Sequence, residues 1–277
     1  MSVVTELERH RPSVVGTDLK RFWHLTWTLA ATDFKLRFYG STLGYAWTLA
    51  RPFLFFGVIY FVFSEIAGLD ANVKNYGVYI LFALVLFQFF NEATSNCVGC
   101  LVARESLLRK MRFPRLVIPL SVVVTAILNL GGTLVAVFIF AIATGVYPTW
   151  SWLELPLLVV LVAAFATGVG LLLSSLFVRY RDVAPIWDVV SQMLFYVSPV
   201  LYVATLVPEQ YQETYLMNPL ASLLTEMRAA VVDPTAPHVW EIAGAGTLLV
   251  PIGIVVVSAG LGLYVFNRQA PRIAEDL

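Results

Sequence analysis

The sequence of 277 residues contains no G-x-x-x-x-G-K-[ST] string, so nothing in it is built to cradle nucleotide phosphates. It has no H-E-x-x-H and no cluster of Cys and His at zinc spacing. A G-x-S-x-G nucleophile elbow is also missing. The three histidines, His10, His24 and His238, fall outside the apolar stretches. Charge is scarce, at 13% of residues, against about 25% in a soluble domain. Two cysteines, Cys97 and Cys100, cannot make the disulfide framework of a small secreted domain. The first 40 residues carry no apolar h-region, so no cleavable signal peptide is expected. These absences leave no catalytic and no metal-binding residue to nominate. If the chain moves a solute uphill, the energy comes from a coupling ion or from a separate ATPase subunit.

What is present is apolar. Hydrophobic residues make up 59% of the chain and the mean hydropathy is +0.79. The expected fold is all-α, a polytopic membrane protein with six transmembrane helices. The spans are read at about 43–66, 77–100, 117–146, 153–178, 184–206 and 242–266, each near the ~20 residues needed to cross a bilayer. Residues 1–17 read as a cytoplasmic tail, 18–38 as an amphipathic interface helix, 39–266 as the transmembrane domain and 267–277 as a C-terminal tail. Ser198-Pro199 breaks the fifth span. Gly244, Gly246, Gly253, Gly260 and Gly262 in the last span permit close helix approach. Asn218-Pro219 is a helix start, an N-cap followed by proline at the first helical position. The apolar segment it opens reaches only ~21 Å, so a re-entrant or interfacial helix is expected after span five, on the extracytoplasmic side.

The distribution of positive charge orients the chain. With the N-terminus inside, Lys74 and Arg228 alone fall outside, and the other sixteen of the 18 Lys and Arg fall inside. Both termini are therefore expected in the cytoplasm of an inner (plasma) membrane protein. Between residues 18 and 34 the pattern has helical period. Leu19, Phe22, Trp23, Trp27, Leu29, Ala30 and Phe34 fall on one side, and Lys20, Arg21, His24, Thr28, Thr32 and Lys35 on the other. Asp18 reads as its N-cap, and Asp33 and Arg37 break the apolar face at its end. A basic helix of this kind lies in the membrane interface, or packs on a soluble partner domain. The densest basic island is RESLLRKMRFPRLVIP at 104–119, between two long runs free of Lys and Arg. Its core, ESLLRKM, reads as a short cytoplasmic helix with an apolar side.

Ionisable residues inside the spans are few. Glu92 stands among Gln88, Asn91, Thr94, Ser95 and Asn96 and reads equally as part of a pore-lining patch or as an interhelical hydrogen-bond cluster. Asp188 lies close to Arg181 and Asp182, near the cytoplasmic interface. Neither makes an ion relay. Cys97 and Cys100 read as apolar packing. Of the aromatics, Phe195, Tyr196 and Tyr202 flank the broken Ser198-Pro199 region, and stack on sugar C–H faces or meet lipid.

Four strings, in this order, resemble the permease subunit of ABC-2 type polysaccharide exporters, which carry O-antigen, teichoic-acid and related lipid-linked glycans. They are DFKLRFYGSTLGYAWTLARP at 33–52, LLRKMRFPRLVIPLS at 107–121, RYRDVAPIWDVVSQMLFYVSPVLY at 179–202 and MNPLASLLTEMR at 217–228. The resemblance covers about residues 18 to 266. It implies two permease copies forming the pathway and two separate ATPase subunits that bind ATP and Mg on the cytoplasmic side, with no cofactor in this chain and no nucleic acid among its partners. It implies a coupling helix that docks on the ATPase through Arg104, Glu105, Leu107, Leu108, Arg109, Lys110 and Arg112. It implies an interface helix carrying Lys20, Arg21, Phe22, Trp23 and Trp27, a cytoplasmic loop of Arg179, Tyr180, Arg181 and Asp182, and Glu92, Phe195, Tyr196 and Tyr202 as candidates for the substrate path. Unlike drug-exporting ABC-2 permeases, the chain has no large external domain between its first two spans, where about residues 67–76 are available. The competing readings are an exporter of another amphiphile such as a lipid or drug, a membrane-embedded glycan-assembly enzyme, and an ion-coupled carrier.

Overall fold

The computed structural model describes residues 19–39, 44–66, 68, 73–110 and 114–270. Asp18, the expected tail at 1–17 and residues 271–277 of the expected tail at 267–277 lie outside them, while the last helix runs on through Gln269. Among the described residues there is no strand, and the chain is a bundle of helices. The long ones are α1 (Leu19–Phe38), α2 (Gly44–Phe61), α3 (Tyr76–Val98), α5 (Val117–Ala143), α6 (Leu155–Arg179) and α11 (Leu249–Gln269). Between and after them stand α4 (Glu105–Lys110), α7 (Val183–Val197), α8 (Glu209–Leu216), α9 (Pro219–Met227) and α10 (Val239–Ala243).

Five of these helices, some with their flanking turns, are long and apolar enough to cross a membrane: Leu49–Ile66, Tyr76–Val98, Val117–Ala143, Trp150–Arg179 and Gly246–Gln269. The expected fifth span is different. Its helix, α7, has 15 residues, about 22 Å, which is short of the ~30 Å hydrocarbon core. It ends at Ser198, whose backbone is extended, and the chain then runs irregularly to a short 3-10 turn, Ala204–Leu206. Ser198-Pro199 is therefore the end of this helix rather than a break within it. The last span also starts later than composition suggests. Gly244 adopts φ 86°, in the left-handed region, and separates α10 from a 3-10 turn, Ala245–Leu248, that leads into α11. Pro52 sits inside α2.

Helix α3 is the centre of the bundle. Seventeen of its residues are buried, which is why it reads as apolar on every side. It packs against α5, α6, α2 and α7. Aromatic pairs fill the seams: Phe90 stacks on Phe165 at 5.2 Å and Phe82 meets Phe138 edge-on at 5.6 Å. Helices α6 and α11 meet backbone to backbone where Gly168 faces Gly262.

One end of the bundle is irregular, and its carbonyls are satisfied by side chains. The Tyr76 hydroxyl donates to Leu201 O at 2.6 Å. The Tyr79 hydroxyl lies against Tyr202 O at 2.8 Å and also against Pro199 O. Trp152 Nε1 donates to Val231 O at 3.0 Å, Ser151 to Ala230 O at 2.6 Å and Asn75 Nδ2 to Val232 O at 3.1 Å. Non-helical backbone is tolerated near membrane depth when protein supplies its hydrogen bonds. Asn218 caps α9 as its sequence implies, its side chain accepting from Leu220 N at 3.1 Å. A π-helical turn, Arg228–Val232, follows α9, and the segment is almost wholly buried in protein.

Candidate functional site

The basic island forms α4, a helix over Glu105–Lys110. Arg104 sets it in place, because its carbonyl accepts from the backbone N–H of Leu107 and of Leu108, each at 3.1 Å. Leu107 and Leu108 are half-buried. Leu108 packs onto a second apolar cluster that contains Phe22 of α1, Leu116, Val117 and Ile118 at the start of α5, Val178 of α6 and Phe266 of α11. The apolar side of the island is thus turned toward the rest of the chain. Arg109 and Lys110 close the helix, and Arg112 lies outside the described residues.

Arg104 is also directed inward. Its guanidinium pairs with Asp33 of α1 and donates to Ser121 Oγ of α5 at 3.0 Å. One turn along α1, Arg37 pairs with Glu92 of α3. The same Glu92 oxygen accepts from Asn129 Nδ2 of α5 at 2.7 Å. A cavity of about 30 Å³, lined by Pro52, Gln88, Glu92, Asn129 and Thr133 among others, adjoins this cluster. It is large enough for one water molecule. In the single chain, then, Glu92 joins three helices, and its carboxylate has the partners that an intramembrane charge requires.

Helix α1 has two apolar sides rather than one. Phe22, Thr26 and Ala30 are buried, one turn apart, on the side that packs on α5. Thr125 Oγ1 of α5 reaches Ala30 O at 3.3 Å. Leu19, Trp23 and Trp27 remain exposed, Trp23 at 56% and Trp27 at 48%. With Lys20, Phe22 and His24 they line an open groove of about 670 Å³. The wheel places Phe22 and Trp23 on one face. The structure divides that face between protein and surroundings.

At the same end of the bundle, Arg179, Tyr180, Arg181 and Asp182 make the tight connection from α6 to α7. Arg181 lies over the Phe177 ring at 4.9 Å and Arg179 over Tyr180 at 5.4 Å. Tyr180 is exposed, and the Asp182 carbonyl accepts from Ile186 N at 3.1 Å. The three aromatics chosen for the path adjoin one another, the Phe195 and Tyr196 rings meeting edge-on at 5.3 Å. Phe195 is half-buried and packs edge-on against Phe87 at 5.2 Å. The Tyr202 hydroxyl donates back to Tyr196 O at 3.0 Å. The Tyr196 ring is 60% exposed. Along α7 the exposed residues include Asp188 and Gln192, two turns and one turn before Tyr196. Cys97 and Cys100 are both buried, and Cys97 Sγ lies 3.6 Å from Pro119 O.

Three participants were not singled out from sequence: Asp33, Arg37 and Asn129. Their signal was present. Asp33 and Arg37 interrupt an otherwise apolar face four residues apart, the spacing that puts two side chains on one side of a helix. Asn129 is a lone amide in an apolar span.

The family model described as ABC-2 type transporter matches residues 24–232. The O-antigen export system permease protein RfbA of Klebsiella pneumoniae is 30% identical over 246 residues, covering 88% of this chain and 92% of that protein. The protein of the same name from Myxococcus xanthus is 26% identical over 262 residues, covering 94% and 98%. The polysialic acid transport protein KpsM of Escherichia coli is 22% identical over 243 residues, covering 86% and 91%. The chain belongs to the ABC-2 type transporter family.

Proposed function

We propose that the chain is the transmembrane subunit of an ATP-driven exporter that moves a lipid-linked polysaccharide, of O-antigen, teichoic-acid or cell-wall glycan type, out across the inner membrane. The observation that carries this reading is similarity running almost end to end with export permeases for O-antigen and capsular polysaccharide. The chain is not the enzyme. It lacks a phosphate-binding loop, and a separate ABC ATPase binds ATP and Mg and hydrolyses the nucleotide.

The geometry supports particular roles. Helix α4 docks on the ATPase, with Arg109 and Lys110 as its polar contacts. Arg104 is spoken for by Asp33 and Ser121. The groove of α1, with exposed Trp23 and Trp27 beside Lys20 and His24, suits the membrane interface, where aromatic rings and cations are favoured. Two copies form the path. An exposed carboxylate at Asp188 and the exposed amide of Gln192 are costly against lipid and favour a second copy or a hydrated path beside α7. Tyr196 then faces that path. The irregular end, from 198 to 238, closes it on the outside, α9 and its π-helical turn forming the re-entrant segment. Lys74 and Arg228 both belong to that end, since Lys74 approaches Asp233 at 3.8 Å and Arg228 lies over Tyr79. Both termini are then cytoplasmic.

The test is deletion of the gene in its host, with the site of glycan accumulation recorded. Lipid-linked polysaccharide retained on the cytoplasmic side, and released by the restored gene, is the expected result. Normal surface glycan in the deletion strain, with a lipid or drug retained instead, would point to an exporter of another amphiphile.

A further inference from the structure

Helix α1 carries opposite charges one turn apart, and each is committed to a different part of the bundle. Asp33 holds Arg104, the residue on whose carbonyl α4 begins. Arg37 holds Glu92, which lies two turns inside the end of the central helix α3 and is shared with Asn129 of α5. The first part of α1 is gripped by apolar packing of Phe22, Thr26 and Ala30. Its last turns are attached through these two ion pairs. A continuous path therefore runs from the start of α4, through Arg104 and Asp33, along one rigid helical turn of about 6 Å, to Arg37, Glu92 and the core of the bundle.

The Arg104–Asp33 pair is partly buried, its side chains 21% and 31% exposed, while in the second pair Arg37 is exposed at 41% and Glu92 partly buried at 21%. Separating charges in such a place costs more than at an open surface. Displacement of α4 is then accommodated more easily by moving α1 than by parting Arg104 from Asp33. We propose that Asp33 and Arg37 are positioning residues that carry movement of α4 to Glu92, and so couple the partner ATPase to the membrane path. This rests on the docking role given to α4 above. A strut that merely holds α1 in place would behave differently when cut, because ATP hydrolysis and export would fall together.

The experiment uses the full complex with its ATPase in proteoliposomes. Asp33→Asn and Arg37→Gln are compared with wild type for ATP hydrolysis and for export of lipid-linked glycan. The expected result is hydrolysis within about twofold of wild type and export lower by about tenfold, a size typical of a broken contact pair. Asp33→Glu, which keeps the charge, restores export. Export at the wild-type level in Asp33→Asn, or export and hydrolysis falling in proportion, would overturn the proposal. If Asp33→Asn does not assemble, Arg104→Lys serves in its place, since it keeps the charge and loses the planar fork that spans Asp33 and Ser121. A wild-type complex that hydrolyses ATP and exports no glycan would instead count against the substrate reading. The link is then judged by an ATP-dependent fluorescence change from a label at Gln88→Cys, which is exposed one turn from Glu92. That change is expected with native Asp33 and is lost with Asp33→Asn, and its persistence there would overturn the link.

Discussion

A Cβ atom added to Gly262 would stand 2.3 Å from the carbonyl oxygen of Gly168, and one added to Gly168 would stand 2.5 Å from the backbone nitrogen of Ala259. No side chain can yield there, because both neighbours are main chain. Gly262→Ala should cost about 1–3 kcal/mol by overpacking, read as a lower Tm of the purified chain, and an unchanged Tm would contradict the crossing. Sequence pointed to this span through five glycines, three of which, Gly253, Gly260 and Gly262, lie in α11. It could not say which one bears the contact: Gly253 and Gly260 have nothing within 4 Å of an added Cβ. Tyr79 is a second sensitive point. Tyr79→Phe leaves the carbonyl of Tyr202 without this donor, at a cost of about 1–3 kcal/mol, and should loosen the irregular end, as seen in faster hydrogen exchange of residues 200–203. At Asp233, burial pushes the carboxyl up, but the Thr235 hydrogen bonds and the charges of Lys74 and Arg228 outweigh it and hold the group below the usual carboxylate range. A depressed folded value stabilises above the ordinary value, ~3.9, and the contribution is lost as pH falls through the folded value. Wild type should therefore lose stability on acidification below about pH 4, and Asp233→Asn should flatten that part of the profile.

At the scale of elements, the docking role proposed for α4 is carried by Arg109 and Lys110. Leu108 and Arg104 are taken by the bundle. Arg109→Glu with Lys110→Glu should abolish permease-stimulated ATP hydrolysis and leave membrane insertion intact. Stimulation that survived the double reversal would remove the docking role. The apolar side of ESLLRKM was legible in sequence, but its direction was not, since periodicity gives a face and never says what covers it. The same holds for α1, whose Phe22 and Trp23 share a wheel face and have opposite surroundings. Helix starts with local chemistry were read well: Asn218-Pro219 caps α9 through a side-chain bond that depends only on neighbouring residues. The fifth span was read too long, because apolar residues continue past Ser198 after the helix has stopped. Hydropathy does not register that the carbonyls beyond it are satisfied by Tyr76 and Tyr79.

At the scale of the whole molecule, charge and hydropathy together account for the all-helical architecture, and the order of four strings accounts for the family. What they leave out is how α1, α4 and α3 are joined, because an ion pair such as Arg37 with Glu92 connects residues 55 apart, with no local signal for the partner. The proposed orientation rests on the same charge asymmetry. A membrane-impermeant thiol reagent should label Lys74→Cys from outside intact cells and Arg268→Cys only after permeabilisation. The central claim, that this chain with a separate ATPase exports lipid-linked polysaccharide, is tested most directly by transport in proteoliposomes holding the purified complex. Glycan should cross the bilayer when ATP and Mg are supplied on the ATPase side, unaffected by collapse of ion gradients and lost on ATP depletion. Glycan movement without ATP, or its loss on gradient collapse while ATP remains, would contradict the account.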